Sequence, residues 1–167
     1  MTTDPTNTPK RNVQPRQTPG TLAERSKTYL IQSKLDLKEA RISFRQEDLV
    51  QSAFLSVQAG VNALTAICLA YGQPQLQGPS PQKLFQLCME FDPELFGTLQ
   101  TPCESLERAS SIEPFRPQEA DAPLKKQCQE WINSADQIHL LAKNACLALG
   151  KKTGGKRMFN WRRSDTF

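Results

Sequence analysis

The stretch from Asp48 to Tyr71, DLVQSAFLSVQAGVNALTAICLAY, constrains the fold most, because it carries no charged side chain after its first residue. At about 100° per residue, its large apolar side chains share one broad helical face and its alanines lie roughly opposite. A helix that is apolar nearly all round is usually buried among its neighbours. We therefore expect this stretch to be the central helix of a bundle.

A membrane span is the competing interpretation of the same stretch, since about 20 apolar residues can cross a bilayer. A narrow polar strip and many small residues favour the buried helix instead. Gly60 lies in its interior, where glycine costs about 1 kcal/mol relative to alanine. Close approach of another helix is the expected reason for this glycine.

The whole chain has 167 residues, which suits one domain with tails. Residues 1–20 are rich in Pro, Thr, Asn and Gln and are expected to be disordered, with no signal peptide or anchor. A cytoplasmic location is the default expectation. Residues 21–150 are predicted to form an all-α helical bundle of four main helices plus one short helix, and residues 151–167 a basic, aromatic tail. No segment alternates with a period of two, so no sheet is expected.

Capping signals place the ends of the other helices. Thr21 and Glu24 form a capping box for a first helix that ends near Arg45. Within it Ser26, Ser33 and Ala40 recur every seven residues, which predicts tight packing against another helix. The later helices are expected from Ser80 to Asp92, from Thr101 to about Ile112, and from Asp121 to Gly150.

The first helix also carries a set of cations that share a sector of roughly 60° on the helical wheel. This set, called the basic ridge below, consists of Lys27, Lys34, Lys38, Arg41 and Arg45. One interpretation is a surface that follows phosphates. The other is a solvated face whose long side chains cover neighbouring apolar surface, helped by acids on an adjoining helix. Both remain open from the sequence.

The C-terminal tail, KKTGGKRMFNWRRSDTF, mixes six cations with Phe159, Trp161 and Phe167. Cations interleaved with aromatic rings suit binding to RNA, by neutralising phosphates and stacking on bases. An anionic membrane surface, an acidic protein or a simple solvated end are the alternatives. The candidate binding residues there are Lys151, Lys152, Lys156, Arg157, Trp161, Arg162 and Arg163.

A second apolar line on the first helix, formed by Ile31, Leu35 and Ile42, lies apart from the seven-residue pattern. It is a candidate surface for a homodimer or another protein partner. In that hypothesis the chain is an interaction adaptor without a nucleic-acid role.

Residues suited to catalysis are sparse. His139 is the one histidine and is expected to be a partly exposed structural residue, without a serine, cysteine or carboxylate at triad spacing. The five cysteines are widely spaced, which favours buried free thiols over metal ligands or disulfides. No phosphate-binding loop motif occurs. The sequence therefore indicates no enzyme, no metal and no cofactor.

The order of the helices resembles that of HEPN domains, with SKLDLKEARISF on a long first helix and SAFLSVQAGVNALTAICLAYG on the apolar second one. The resemblance covers roughly residues 22–149 and implies a small, often dimeric helical protein that acts on or near RNA or beside nucleotidyltransferases. Ribonuclease members carry an Arg four to six residues before a His. Arg116 has no such histidine after it, and His139 has no such arginine before it.

The resemblance therefore implies a member without the ribonuclease site. The sequence prediction is a non-catalytic protein that binds RNA or a nucleotide-handling partner through the basic ridge and the tail. A protein-interaction adaptor is the alternative, and a divergent ribonuclease using Arg116 is the third hypothesis.

Overall fold

A computed structural model describes residues 19–73, 79–110 and 122–152, and within these ranges the chain forms helices and no strand. The helices are α1 (Pro19–Arg45), α2 (Leu49–Ala70), α3 (Pro81–Phe91), α4 (Pro93–Phe96), α5 (Gln100–Ser110) and α6 (Ala122–Lys152). A 3₁₀ turn, Gly97–Leu99, joins α4 to α5. The prediction of an all-α bundle is confirmed.

A tight turn joins α1 to α2 and makes them an antiparallel hairpin. Glu47 adopts a left-handed backbone with φ of 62°, and the amide of Asp48 donates to the carbonyl of Ser43. The Asp48 carboxylate then accepts from the amide of Gln51 at 3.1 Å, which caps the first turn of α2. The charged residues at this link thus end one helix and begin the next.

Small residues in a seven-residue register hold the two helices together, and we call this line the α1–α2 seam. Ser26 and Ser33 each donate their hydroxyl to a carbonyl of α2, those of Ala66 and Ala59, at 2.8 Å. In the opposite direction, Ser52 of α2 donates its hydroxyl to the carbonyl of Ala40 of α1 at 2.9 Å. The predicted tight packing of these positions on α1 is confirmed.

The last helix, α6, lies against both members of the hairpin. It is antiparallel to α1, because Cys146 meets Ser26 and His139 meets Ser33. It is parallel to α2, because the Cys128 thiol reaches the carbonyl of Leu49 and the Cys146 thiol that of Ala66. These three helices form the main body of the core.

The C-terminal half of α2 is enclosed by the shorter helices. A Cβ added to Gly60 would collide with the Leu106 side chain of α5, so the predicted close approach of a helix at this glycine is confirmed. At the end of α2, Tyr71 stacks on Phe91 with ring centroids 4.9 Å apart and meets Phe96 edge-on at 5.8 Å. Phe96 is fully buried.

The N-terminal half of α2 departs from the expectation of burial along the whole broad apolar face. Val50 is 41% and Phe54 57% exposed. The shorter helices pack at the level of Gly60 and beyond, so these two side chains, one helical turn apart, stay in contact with solvent. By length and composition α2 also meets the criteria for a membrane span, yet 67% of the apolar window is buried inside the protein.

Several helix ends differ from the sequence prediction. Ser80 caps α3 as expected, accepting from the Lys83 amide at 3.3 Å. The start at Thr21 is wrong by two residues, since α1 begins at Pro19, and α5 begins at Gln100, so Thr101 lies inside it. Gly150 does not end α6, which continues to Lys152. The predicted cap at Asp121 and the predicted disorder of residues 1–18 lie outside the described residues.

Candidate functional site

The basic ridge lies along α1 on the side that faces α6. Lys38, Arg41 and Arg45 are exposed, whereas Lys27 and Lys34 are half-buried. In the described part of the chain, Lys38 and Arg45 have no carboxylate within ion-pair distance. The ridge therefore presents charge to solvent at Lys38 and Arg45, in the C-terminal half of α1.

One member of the ridge is paired within the molecule. Arg41 donates to Asp136 of α6 at 3.0 Å, with side chains 44% and 38% exposed. An ion pair this exposed contributes about 0–1 kcal/mol. This contact fits the interpretation of a solvated face with acids on an adjoining helix.

Other acids near the hairpin are engaged elsewhere. Asp36 is 8% exposed, and its carboxylate accepts hydrogen bonds from the side-chain amides of Gln32 at 2.8 Å and Asn62 at 2.7 Å. Glu47 pairs with Lys125 of α6 at 3.3 Å. These contacts direct two carboxylates of the hairpin away from the ridge.

A further cation comes from α6. Lys143 lies one turn beyond His139, and its charge acts on the His139 imidazole together with those of Lys34 and Arg41. Sequence reasoning missed Lys143 because it considered the cations of α1 alone. The available signal was the four-residue spacing from His139, which places both side chains on the same face of α6.

His139 differs from the sequence prediction, since it is 8% exposed rather than partly open. Its Nδ1 lies 2.9 Å from the Ser33 hydroxyl, which in turn lies 2.8 Å from the carbonyl oxygen of Ala59. Two oxygens that close need the hydroxyl proton between them. Nδ1 must therefore carry its own hydrogen and donate it to Ser33, which fixes the tautomer of the imidazole.

This arrangement brings a serine and a histidine together across 106 residues of sequence, but it is not a nucleophilic pair. The Ser33 proton is directed to Ala59, and a protonated Nδ1 cannot accept it. Burial lowers the pKa of His139; Asp136 acts in the opposite direction, and Lys143, Lys34 and Arg41 lower the pKa further. The imidazole is neutral at pH 7 and ties α1, α2 and α6 together.

The cysteines are buried and free, as predicted. Burial raises the pKa of Cys103 to about 12 and those of Cys128 and Cys146 to about 11. The pKa of Cys88 is also raised, first by its hydrogen bond with Cys68 and then by burial. The pKa of Cys68 is lowered instead, first by its hydrogen bond with Cys88. Because the thiolate is the reactive form, the four thiols with a raised pKa act as packing groups at neutral pH.

The candidate interface line is only partly open. Leu35 is 50% exposed, whereas Ile31 and Ile42 are half-buried on α1. Three further large apolar side chains are exposed on other helices, namely Val50, Phe54 and Leu140. The structure thus adds exposed apolar residues that the sequence analysis had assigned to the core or left unassigned.

Within the described ranges, no group of three His, Cys, Asp or Glu side chains could hold a metal ion. In the tail, Lys151 is exposed at the end of α6. The side chain of Lys152 and the residues from 153 onward, with the candidates Lys156, Arg157, Trp161, Arg162 and Arg163, lie outside the described part, as does Arg116.

No family model matches the sequence, and no match was found among the curated proteins or the solved structures. The resemblance to HEPN domains therefore stays a prediction from the sequence.

Proposed function

We propose that this chain is a non-catalytic helical protein that binds RNA, alone or beside a nucleotide-handling partner. The contact surface consists of the basic ridge of α1, extended by Lys143 of α6 and by the C-terminal tail. We place the protein in the cytoplasm. The single observation that carries the proposal is the exposure of Lys38 and Arg45 without a carboxylate partner among the described residues.

The dimensions of the ridge support this proposal. From Lys27 to Arg45 the helix covers about 27 Å at 1.5 Å per residue, which is long enough to approach several successive phosphates. Lys38 and Arg45 are exposed and have no acidic partner among the described residues. Asp36 and Glu47, which could have neutralised the ridge, are held by Asn62 and Lys125.

The test is the salt dependence of binding to a single-stranded RNA of about 20 nucleotides. Replacing Lys38 and Arg45 together with glutamine should reduce affinity and flatten the plot of log affinity against log salt by about 0.7 per lost contact. Lys83→Gln with Arg108→Gln is the matched control, because it removes the same charge from exposed positions on α3 and α5. Equal slopes for the two double variants would refute the role of the ridge.

The tail requires its own comparison. Removing residues 153–167 from the full chain should lower affinity and the salt slope further, because it deletes four cations and three aromatic rings. If RNA retention and slope are the same with and without these residues, the tail has no part in binding. The ridge variants would still test whether the basic ridge binds RNA.

The second candidate function is self-association through Ile31, Leu35 and Ile42, and the exposure of Leu35 favours it. The proposed partner is a second copy of this chain. Sedimentation at increasing protein concentration should then show a dimer whose affinity changes little with salt and is lost in Leu35→Asp. Leu140→Asp is the control, since Leu140 is equally exposed on α6. A monomer at all concentrations, or equal loss in both variants, would reject this surface.

A further inference from the structure

The outer edge of His139 opens between α1 and α6, beside the basic ridge. Nδ1 is bonded to Ser33, and Nε2 has no hydrogen-bond partner among the described residues. In that part of the chain no fully buried side-chain nitrogen or oxygen lacks a partner. Nε2 must therefore reach solvent, although the ring as a whole is 8% exposed.

Charged groups on both neighbouring helices act on the imidazole. Lys34 and Arg41 act on it from α1, and Lys143 and Asp136 act on it from α6. The third helix in contact, α2, contributes the carbonyl of Ala59 and contains no Asp, Glu, Lys, Arg or His. Three cations and one carboxylate therefore act on the imidazole, and the carboxylate, Asp136, is paired with Arg41.

We propose that Nε2 of His139, Lys34, Arg41 and Lys143 form a subsite for one phosphate group of an RNA backbone, and that filling it is coupled to proton uptake by His139. Nε2 takes a proton from solvent and donates it in a hydrogen bond to a phosphate oxygen. No covalent bond forms or breaks. The inference rests on the proposed RNA binding and specifies how that binding responds to pH.

The direction of the coupling follows from the electrostatics. In the free protein the surrounding cations oppose a second proton on the imidazole, and a bound phosphate removes this opposition. The charged ring in turn adds a charge-assisted hydrogen bond to the phosphate. By linkage, RNA binding raises the pKa of His139 and lower pH strengthens RNA binding by the same free energy.

The position of Ser33 makes the subsite pre-formed. Because Nδ1–H is held by Ser33, whose own proton is held by Ala59, the ring cannot rotate to hide Nε2 without breaking its buried hydrogen bond to Ser33. A protonation event at Nε2 leaves both bonds intact. The ring can therefore change charge at the surface without disturbing the contacts among the three helices.

The single histidine of the chain gives the experiment an unambiguous signal. The full-length protein is titrated from pH 5 to 8 by NMR of the imidazole, with and without a uridine hexanucleotide that lacks terminal phosphates. We expect the hexanucleotide to raise the pKa of His139, and its affinity to increase several-fold between pH 7.5 and 6. Phosphodiesters do not titrate in this range, so the proton belongs to the protein.

Two variants separate the subsite from the ridge as a whole. Lys143→Gln should abolish the RNA-dependent shift of His139, whereas Lys38→Gln should weaken binding and keep the shift. His139→Asn retains an amide donor near the Nδ1 position and should bind with an affinity that does not vary with pH. Circular dichroism checks that each variant keeps its helical content.

The outcomes distinguish this inference from the proposed function. Binding of the hexanucleotide with no change in the His139 titration overturns the subsite and leaves RNA binding by the ridge in place. Absence of binding at low salt overturns both. If phosphatidylserine vesicles shift the pKa of His139 and the hexanucleotide does not, the assignment to RNA is wrong.

Discussion

Helix α2 is held in two different ways along its length. Beside α1, the α1–α2 seam brings Ser26, Ser33 and Ser52 against carbonyls of the facing helix, at 2.8 to 2.9 Å. At the C-terminal end of α2, Tyr71 meets the rings of Phe91, the last residue of α3, and Phe96, the last residue of α4. The seam is held by small side chains and directional hydrogen bonds, whereas the aromatic end is held by the packing of large rings.

The two kinds of contact contribute differently, one to the register of the helices and the other to the free energy of folding. A hydroxyl–carbonyl bond contributes about 1 kcal/mol, but it forms only when the two helices are aligned, so the seam fixes their register. A buried aromatic ring removes roughly 150–250 Å² from water and tolerates small shifts in geometry. The aromatic end should therefore supply more free energy per residue, and the seam more specificity.

The largest effect is expected at the aromatic end. Phe96 is fully buried, so Phe96→Ala should lower the free energy of unfolding by about 3–5 kcal/mol through lost burial and the remaining cavity. Urea unfolding followed by circular dichroism measures this. Phe54→Ala is the control with the same chemical change at a side chain that is 57% exposed, and it should cost much less. Similar losses for both would contradict the difference in burial.

The next effect tests the close contact of α2 with α5. Gly60→Val should cost about 1–3 kcal/mol, because a branched side chain overpacks the space occupied by Leu106. Gly60→Ala should cost far less, since the end of the Leu106 side chain can move and alanine favours a helix by about 1 kcal/mol. Gly97→Ala, which meets no atom within 4 Å, is the neutral control in the same unfolding assay. A stabilised Gly60→Val would rule out tight contact there.

The α1–α2 seam and the close contact at Gly60 were predictable from the sequence. The seven-residue recurrence of Ser26, Ser33 and Ala40 indicated the seam, and Gly60 indicated a close helix. The cap at Ser80 also followed from a local rule, because a cap depends on residues within one turn. These features share one property, that their cause lies in a short stretch of chain.

The contacts at the aromatic end and the exposed side chains of α2 could not be predicted in the same way. The contacts of Tyr71 with Phe91 and Phe96 depend on how α3 and α4 fold back, which no periodicity encodes. The exposure of Val50 and Phe54 depends on where those helices stop. In the candidate site, the cations of α1 were found from their shared face, whereas Lys143 and the bond between Ser33 and His139 required the packing of α6 on α1.

An effect of similar size is expected within the seam itself. Ser33→Ala should cost about 1–3 kcal/mol, because it leaves the Nδ1–H of the buried His139 without an acceptor. Ser26→Ala is the matched control seven residues earlier, where the second contact is only a thiol at 3.6 Å, and it should cost about 1 kcal/mol. Equal losses in urea unfolding would mean that the imidazole adds nothing to the seam.

The smallest expected effect is that of pH on the seam. Burial lowers the pKa of His139 below the 6.5 of an exposed histidine, so between these two values the unfolded chain binds more protons than the folded one. The free energy of unfolding should be constant above pH 6.5 and decrease as pH falls below it. His139→Asn keeps a donor for Ser33 and cannot titrate, so its unfolding free energy should change less between pH 7.5 and 5.5. Parallel curves of unfolding free energy against pH for the two proteins would show that the imidazole takes up protons equally well in the folded and unfolded states. The polar contribution to the seam would then come from its serines alone.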